Sequence, residues 1–303
     1  MEFQVSSYGR QLQRGQRSVL TVFDVNTCEK HVVFEANYLL EAPNWTPDGN
    51  TLIFNAGGQL GKISVSKNTS PELLSTGSLA NLNNDHVLSP DGRSIYVSSN
   101  DNHLYKVNIA TGALFRVSNI HDTPFRYYLH GVSPDEQELA YVGMEGTGDA
   151  IRTNIFTIPT SGGEDKRLTN VSQPNDGPEY SPDGSWIYFN SELNSPNAQI
   201  FRMKRDGSGL QQLTFDERVN WFPHISPDGK RLVYLSFPTG TQGHPSDKDV
   251  ILRAMDPEGG ETKDVVLLFG GQGTLNVNSW APDSTRFAYV EYPIETSDQT
   301  CVN

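Results

Sequence analysis

A Pro-Asp step behind a small residue recurs six times along the chain. The copies are TPDG at 46–49, SPDG at 89–92, SPDE at 133–136, SPDG at 181–184, SPDG at 226–229 and APDS at 281–284. Successive prolines stand 43, 44, 48, 45 and 55 residues apart. Two residues before each proline is an apolar or aromatic residue: Trp45, Leu88, Val132, Tyr180, Ile225 or Trp280. After each turn runs a period-two segment such as TLIFN, SIYVS or RLVYL. One turn repeated at such a spacing marks a repeat architecture, in which each unit buries its faces only against its neighbours.

The turn follows from its residues. Proline presets φ for the first central position, aspartate suits the second, and glycine accepts the positive φ that lets the strand resume. In two copies Glu136 and Ser284 replace the glycine. Those turns are expected to take another geometry or to carry strain.

A second turn, often Gly-rich, follows the anchors, as in NIATGALFRVS (108–118), TSGGEDKRLT (160–169) and RDGSGLQQLT (205–214). One unit therefore reads as four antiparallel strands, which is a propeller blade. The last anchor is followed by one strand, RFAYVEY (286–292), while SVLTVFDVNTCEKHVVFEA (18–36) near the start has two strands and no anchor. The N-terminal strands are expected to complete the final blade. The reading is an all-β, six-bladed propeller in a single domain over 1–303. Its blades lie near 43–75, 86–118, 129–169, 177–214 and 222–269, with a last blade at 277–292 completed by 18–36.

This topology sorts the loops. The Pro-Asp and Gly-rich turns fall on one face. The other face takes every long connection, including 118–130, 143–154, 236–249 and 269–278. Variable loops on a rigid scaffold are where binding concentrates, so a site is expected on that face, at the mouth of the central channel.

Charge and hydropathy narrow the partners. The formal net charge is -13, and no basic run is present, which argues against nucleic acid. No apolar stretch is long enough for a transmembrane helix. The N-terminus has no signal-peptide core, so the chain as written is expected in the cytoplasm, or in the periplasm if a leader precedes it. Two cysteines, Cys28 and Cys301, are too few for a disulfide scaffold.

The combination W-[ST]-P-D-G, an I-x-F strand and a closing D-G-S-G-x-x-x-L-T resembles the PD40-type (WD40-like) repeats of TolB-like six-bladed propellers, from about residue 18 to 292. Within that family, the resemblance implies either a binding role or, by likeness to the oligogalacturonate lyases, a metal-assisted lyase or hydrolase acting on an acidic saccharide. It also admits a periplasmic Tol-Pal-type component, although such proteins carry an additional N-terminal domain and this chain runs straight into its repeats. Propellers of this kind also precede prolyl-oligopeptidase catalytic domains; no G-x-S-x-G elbow is present here.

Candidate site residues follow from the loop face. His86, His130 and His224 stand at the start of innermost strands, with Asp85, Asp176, Glu179 and Asn278 in equivalent stretches, so a divalent cation in the channel is one expectation. His86 and His130 lie four residues before their anchor proline and His224 three, so they should face differently. Arg126, Arg152, Arg218 and Lys248 could pair a carboxylate. Tyr127, Trp221 and His244 could stack a sugar or anchor a peptide. Phe222 and Tyr128 are expected to pack between blades, and Trp45 and Trp280 to wedge the core. The leading expectation is a non-catalytic module binding a protein, a peptide or a small saccharide, with no resident cofactor.

Overall fold

The computed structural model describes residues 10–66 and 69–295, and Cys301 lies outside them. Two strands come before the first four-stranded sheet, β1 (Ser18–Asp24) and β2 (Lys30–Ala36). The first four-stranded sheet is β3 (Glu41–Trp45), β4 (Thr51–Ala56), β5 (Gln59–Ser64) and β6 (Glu72–Leu74). The second is β7 (Leu82–Leu88), β8 (Ser94–Ser99), β9 (Leu104–Asn108) and β10 (Leu114–Arg116). The third is β11 (Phe125–Val132), β12 (Glu138–Glu145), β13 (Arg152–Pro159) and β14 (Lys166–Arg167). The fourth is β15 (Asn175–Tyr180), β16 (Trp186–Ser191), β17 (Gln199–Lys204) and β18 (Gln211–Gln212). The fifth is β19 (Val219–Ile225), β20 (Leu232–Phe237), β21 (Lys248–Met255) and β22 (Lys263–Gly270). The sixth joins β23 (Arg286–Glu291) to β1 and β2. The fold is a six-bladed propeller of antiparallel sheets, closed by the N-terminal strands.

Closure is made by β1 against β23, in register from Val19 opposite Glu291 to Asp24 opposite Arg286. The closing blade differs from the other five in its innermost segment. Residues 271–279 form no regular strand there, and a single bridge joins Trp280 to Phe287. Local side-chain bonds compete with the ladder. Thr274 Oγ1 accepts from Gly271 N (3.0 Å), and Asn276 Oδ1 accepts from Gly273 N (2.8 Å).

The core is divided among the blade interfaces. Leu82, Leu88 and Ile95 pack with Ile53 and Leu60 between the first two blades. Tyr96, Leu129 and Tyr141 fill the next gap, and Val142, Ile155, Ile187 and Phe189 the one after it. Tyr188, Leu213 and Tyr234 join the fourth blade to the fifth. Trp221, Leu252, Trp280 and Phe287 join the fifth to the closing blade. Leu20, Val22, Leu52 and Val290 then seal that blade to the first. Each gap is thus filled by side chains of two neighbouring sheets, as an alternating strand buried on both faces requires.

The repeated turn is stitched by its own side chains. Ser226 Oγ donates to Asp228 Oδ1 (2.6 Å), which also accepts from Lys230 N (3.2 Å), while Gly229 N donates to Ser226 O (2.8 Å). Gly49, Gly92, Gly184 and Gly229 all sit near φ 70°. Glu136 and Ser284 keep that left-handed geometry, at φ 54° and 61°, rather than taking another. Both are tied to the preceding blade. Glu136 Oε1 accepts from Tyr96 Oη (2.8 Å) and Lys106 Nζ (2.9 Å), and Ser284 Oγ accepts from Asp228 N (2.9 Å). Cross-blade bonds thus offset a backbone cost of about 1 kcal/mol at each position. Glu136→Ala, which keeps the strain and loses the bonds, is expected to destabilise more than Glu136→Gly, which relieves the strain. Denaturant midpoints of the two variants check the order.

Candidate functional site

The innermost strands are not straight. In each of the five four-stranded blades the pairing of the first two strands shifts register, between Glu41 and Asn44, Leu82 and His86, Leu129 and Gly131, Asp176 and Glu179, and Trp221 and His224. These bulges re-aim side chains toward the channel. Three residues five positions before their anchor proline are left-handed: Ala42 (φ 55°), Gly177 (φ 61°) and Phe222 (φ 55°). Phe222 is the costly one, because a bulky residue rarely adopts this conformation. Its N–H donates to Asn190 Oδ1 (3.2 Å) on the neighbouring blade, and its ring stacks on His130, with centroids 5.7 Å apart. Strain of this kind is held where the surroundings over-determine it, often at binding sites.

The bulges bring residues of five blades to one cavity of about 310 Å³ at the loop-face mouth of the channel. Its polar lining includes Asn84, Asp85, His130, Asp176, His244 and Asn276, and its apolar wall is Tyr128, Val142, Met144 and Phe222. His130 Nδ1 donates to Asn276 O (3.2 Å), and its Nε2 is 3.1 Å from Asp176 Oδ1. His244 Nε2 lies 3.9 Å from the other oxygen of Asp176. The Asn84 amide nitrogen is buried and has no hydrogen-bond partner among the described residues. A second cavity of about 440 Å³ adjoins the first and shares Thr153, Asp176 and His244 with it. Trp221, Arg152 and Pro245 line its far side.

Burial and neighbouring charge set the protonation states. Burial alone would lower the His130 pKa, but Asp85 and the hydrogen bond and charge of Asp176 outweigh it and hold the imidazole up at about 9. Asp85 is pushed up, first by burial and then by Asp176, with His130 opposing. Asp176 is held low because its bonds and charge contacts with His130 and His244 overcome its burial. Glu41, beneath the mouth, is raised by burial to about 7, with Arg10 (4.0 Å) acting against that rise. Burial pushes His86 down to about 4.

These shifts give His130 and His86 opposite pH signatures. A histidine raised above its unfolded value of about 6.5 stabilises fully below that pH, and the contribution is lost as pH rises through its folded pKa. His130 should therefore withdraw on the order of 3 kcal/mol between about pH 6.5 and 9. His86, held neutral, loses its contribution as pH falls from about 6.5 toward 4. Unfolding midpoints from pH 6.5 to 9.5 should fall for the protein and stay flatter for His130→Gln.

The sequence-selected residues part company here. His130 and His244 meet in the cavity. His224 lies behind it, donating Nε2 to Leu275 O (2.9 Å) and pairing Nδ1 with Glu179 Oε2. His86 is buried, with Nδ1 on Asn84 O (3.0 Å). The three histidines are thus not gathered at one point, and among the described residues no three His, Cys, Asp or Glu are arranged to hold a metal ion. Tyr127 is buried outward, its hydroxyl donating to Asp165 Oδ2 (2.9 Å) and bonding His121 Nε2 (2.6 Å). Arg218 folds back on Ser236, with Nε 2.8 Å from Oγ. Trp221 is buried, with its indole nitrogen unpartnered among the described residues. Arg152 borders the second cavity, while Arg126 and Lys248 are exposed on β11 and β21, outside both cavity linings.

Sequence reasoning passed over Asn84, Gln272 and Asn276, and it did not assign the loop's anchor to the N-terminal segment. Arg10 Nη2 (2.9 Å), Gln16 Nε2 (2.7 Å) and Gln13 Nε2 (3.2 Å) all bond Asp247, fixing the 240–247 loop over the mouth. No helix of the described residues is long and apolar enough to cross a membrane.

Known proteins agree with this architecture. An uncharacterized protein of Agrobacterium fabrum is 39% identical over 286 residues, covering 92% of this chain and 94% of its own. The Tol-Pal system protein TolB of Francisella tularensis is 26% identical over 88% of this chain, which spans 60% of that relative's length. A solved structure from Agrobacterium tumefaciens, provisionally named TolB, superposes with a TM-score of 0.85 at 38% identity, over 92% of this chain and 99% of the other. An oligogalacturonate lyase in complex with manganese superposes at 0.56 with 16% identity, over 88% of this chain and 75% of its own, a likeness of fold alone. The family model described as the TolB beta propeller domain matches residues 89–250, and the chain belongs to that family, PD40.

Proposed function

We propose that this propeller is a binding module whose ligand occupies the cavity at the channel mouth. The observation that carries the reading is convergence. Side chains from five blades and the pinned 240–247 loop meet in about 310 Å³, with an apolar wall on one side and polar groups on the other. Pockets that recognise small ligands or chain ends combine a mainly apolar lining with a few placed polar groups. The left-handed backbone of Phe222 and the unpartnered Asn84 amide are both found at this cavity, and each is a cost to the empty fold. The relatives named as Tol-Pal system proteins support a protein or peptide as the occupant.

A metal-assisted lyase has less support from these residues. His130 and His224 each spend both ring nitrogens on protein partners, leaving few lone pairs for a cation. Chelator treatment is therefore expected to leave ligand capture unchanged.

Thr153 lines both cavities, so Thr153→Trp would fill them. Thermal-shift measurements with short peptides, amino acids and digalacturonate test the reading. At least one ligand should stabilise the protein and fail to stabilise Thr153→Trp. Equal stabilisation of both would place the ligand elsewhere.

A further inference from the structure

The cavity holds an uneven set of charges and one unanswered donor, and together they describe a ligand. Two carboxylates, Asp176 in the cavity lining and Glu41 outside it, have cations nearby. Asp176 faces His130 at 3.1 Å, and Glu41 faces Arg10 at 4.0 Å. Asp85 makes no ion pair of that kind among the described residues, and the charge of His130 acts on it only from farther off. It is 5% exposed, and its Oδ2 accepts from the Asn83 amide (2.8 Å). Its Oδ1 accepts no hydrogen bond from the described residues. A buried carboxylate without a counter-charge in contact is costly unless something supplies one.

Beside it stands Asn84, 8% exposed, whose amide nitrogen lines the same cavity without an acceptor. Buried donors of this kind are rare in folded proteins, and an unmade bond here is available to a ligand. An acceptor oxygen would complete Asn84, and a cationic donor would complete Asp85. The two residues are adjacent in β7, so the ligand's cation and oxygen must also lie close together. Tyr128, Val142, Met144 and Phe222 leave the remaining wall apolar.

We infer that the cavity captures an ammonium group lying next to a carbonyl, as at the free amino terminus of a peptide. The ammonium sits on Asp85, the carbonyl oxygen takes the Asn84 amide, and the first side chain lies against the Phe222–Met144 wall. Asp176 keeps its contact with His130, and Asp85, which has no cation in contact, is left to meet the incoming one. This inference rests on the binding-module reading above and specifies the ligand of that site.

Calorimetric titration of trialanine amide against its N-acetylated form tests it, with alaninamide as the arm that separates a peptide end from a free amino-acid derivative. Acetylation and Asp85→Asn should each weaken binding by about tenfold to a hundredfold, the range for hydrogen bonds to charged groups. Asn84→Leu should weaken binding while leaving the unfolding midpoint unchanged or raised, because it removes a donor that the empty protein leaves unpaired. A merely structural asparagine would lower the midpoint instead. Trialanine amide binding well above alaninamide assigns the site to peptide ends, and equal binding assigns it to the amino-carbonyl unit alone.

Acetylated and free peptides binding equally would overturn the inference. The module reading would then stand only if Thr153→Trp abolished both. If neither peptide bound but digalacturonate did, in a manner sensitive to Thr153→Trp, the inference would fail and the module reading would survive. If none of these probes bound, both would fall.

Discussion

Glu179→Ala is expected to lose about 3–5 kcal/mol of folding stability, the usual cost of removing one partner from a buried charged network. The reason is its position. Glu179 lies on the innermost strand of the fourth blade and is 6% exposed. Its Oε1 accepts from Ile225 N (3.0 Å) on the fifth blade and from Asn278 Nδ2 (2.6 Å) on the sixth, and its Oε2 holds His224 Nδ1. One carboxylate therefore ties three blades at the channel. Alanine would leave those donors buried without acceptors, and each unmade bond costs about 1–3 kcal/mol. Glu179→Gln keeps the volume and one acceptor and should lose less. Denaturant unfolding measures both, and a loss below about 1 kcal/mol for alanine would mean that this latch is not what holds the blades together.

The second large effect concerns closure. A chain starting at residue 37, lacking β1 and β2, is expected to show no cooperative unfolding transition and to associate. Without β1, the β23 ladder from Arg286 to Glu291 loses its partner and becomes an open edge. Open edges recruit other chains. The same deletion strips Leu20, Val22 and Ala36 from the gap between the closing blade and the first. A folded monomer with a native-like midpoint would contradict the view that the two ends of the chain together seal the ring. Size-exclusion chromatography and thermal unfolding decide between these outcomes.

Much of the ring was legible in the sequence because its turns are local chemistry. A Ser-Pro-Asp-Gly segment needs only its own side chains to fold, so six copies announced six blades and the missing half-blade announced the closure. The loop face was legible for the same reason. The candidate cavity within that face was legible only in part. His86 and His130 stand at the same offset from their anchors, yet His130 reaches the cavity and His86 is buried with one nitrogen on Asn84 O. The cause is the bulge. It lies between Leu129 and Gly131 in one blade and between Leu82 and His86 in the other, and sliding a strand by one residue turns its side chains over. Counting back from a proline cannot see that slide. Small residues at the bulge, Ala42 and Gly177, were an available signal. Phe222 at the same offset was the exception, and it lines the cavity. Arg10, Gln13 and Gln16 reach Asp247 from more than 200 residues away, a separation that no local pattern encodes.

The proposed binding site can be observed through a methyl group. Met144 lines the cavity, whereas Met203 and Met255 are buried in other blade interfaces, outside its lining. In a protein labelled with ¹³C at its methionine methyls, titration with trialanine amide should shift the Met144 resonance to saturation and leave those of Met203 and Met255 in place. A Met144 resonance that stays still while the peptide binds would contradict the channel mouth as the ligand site.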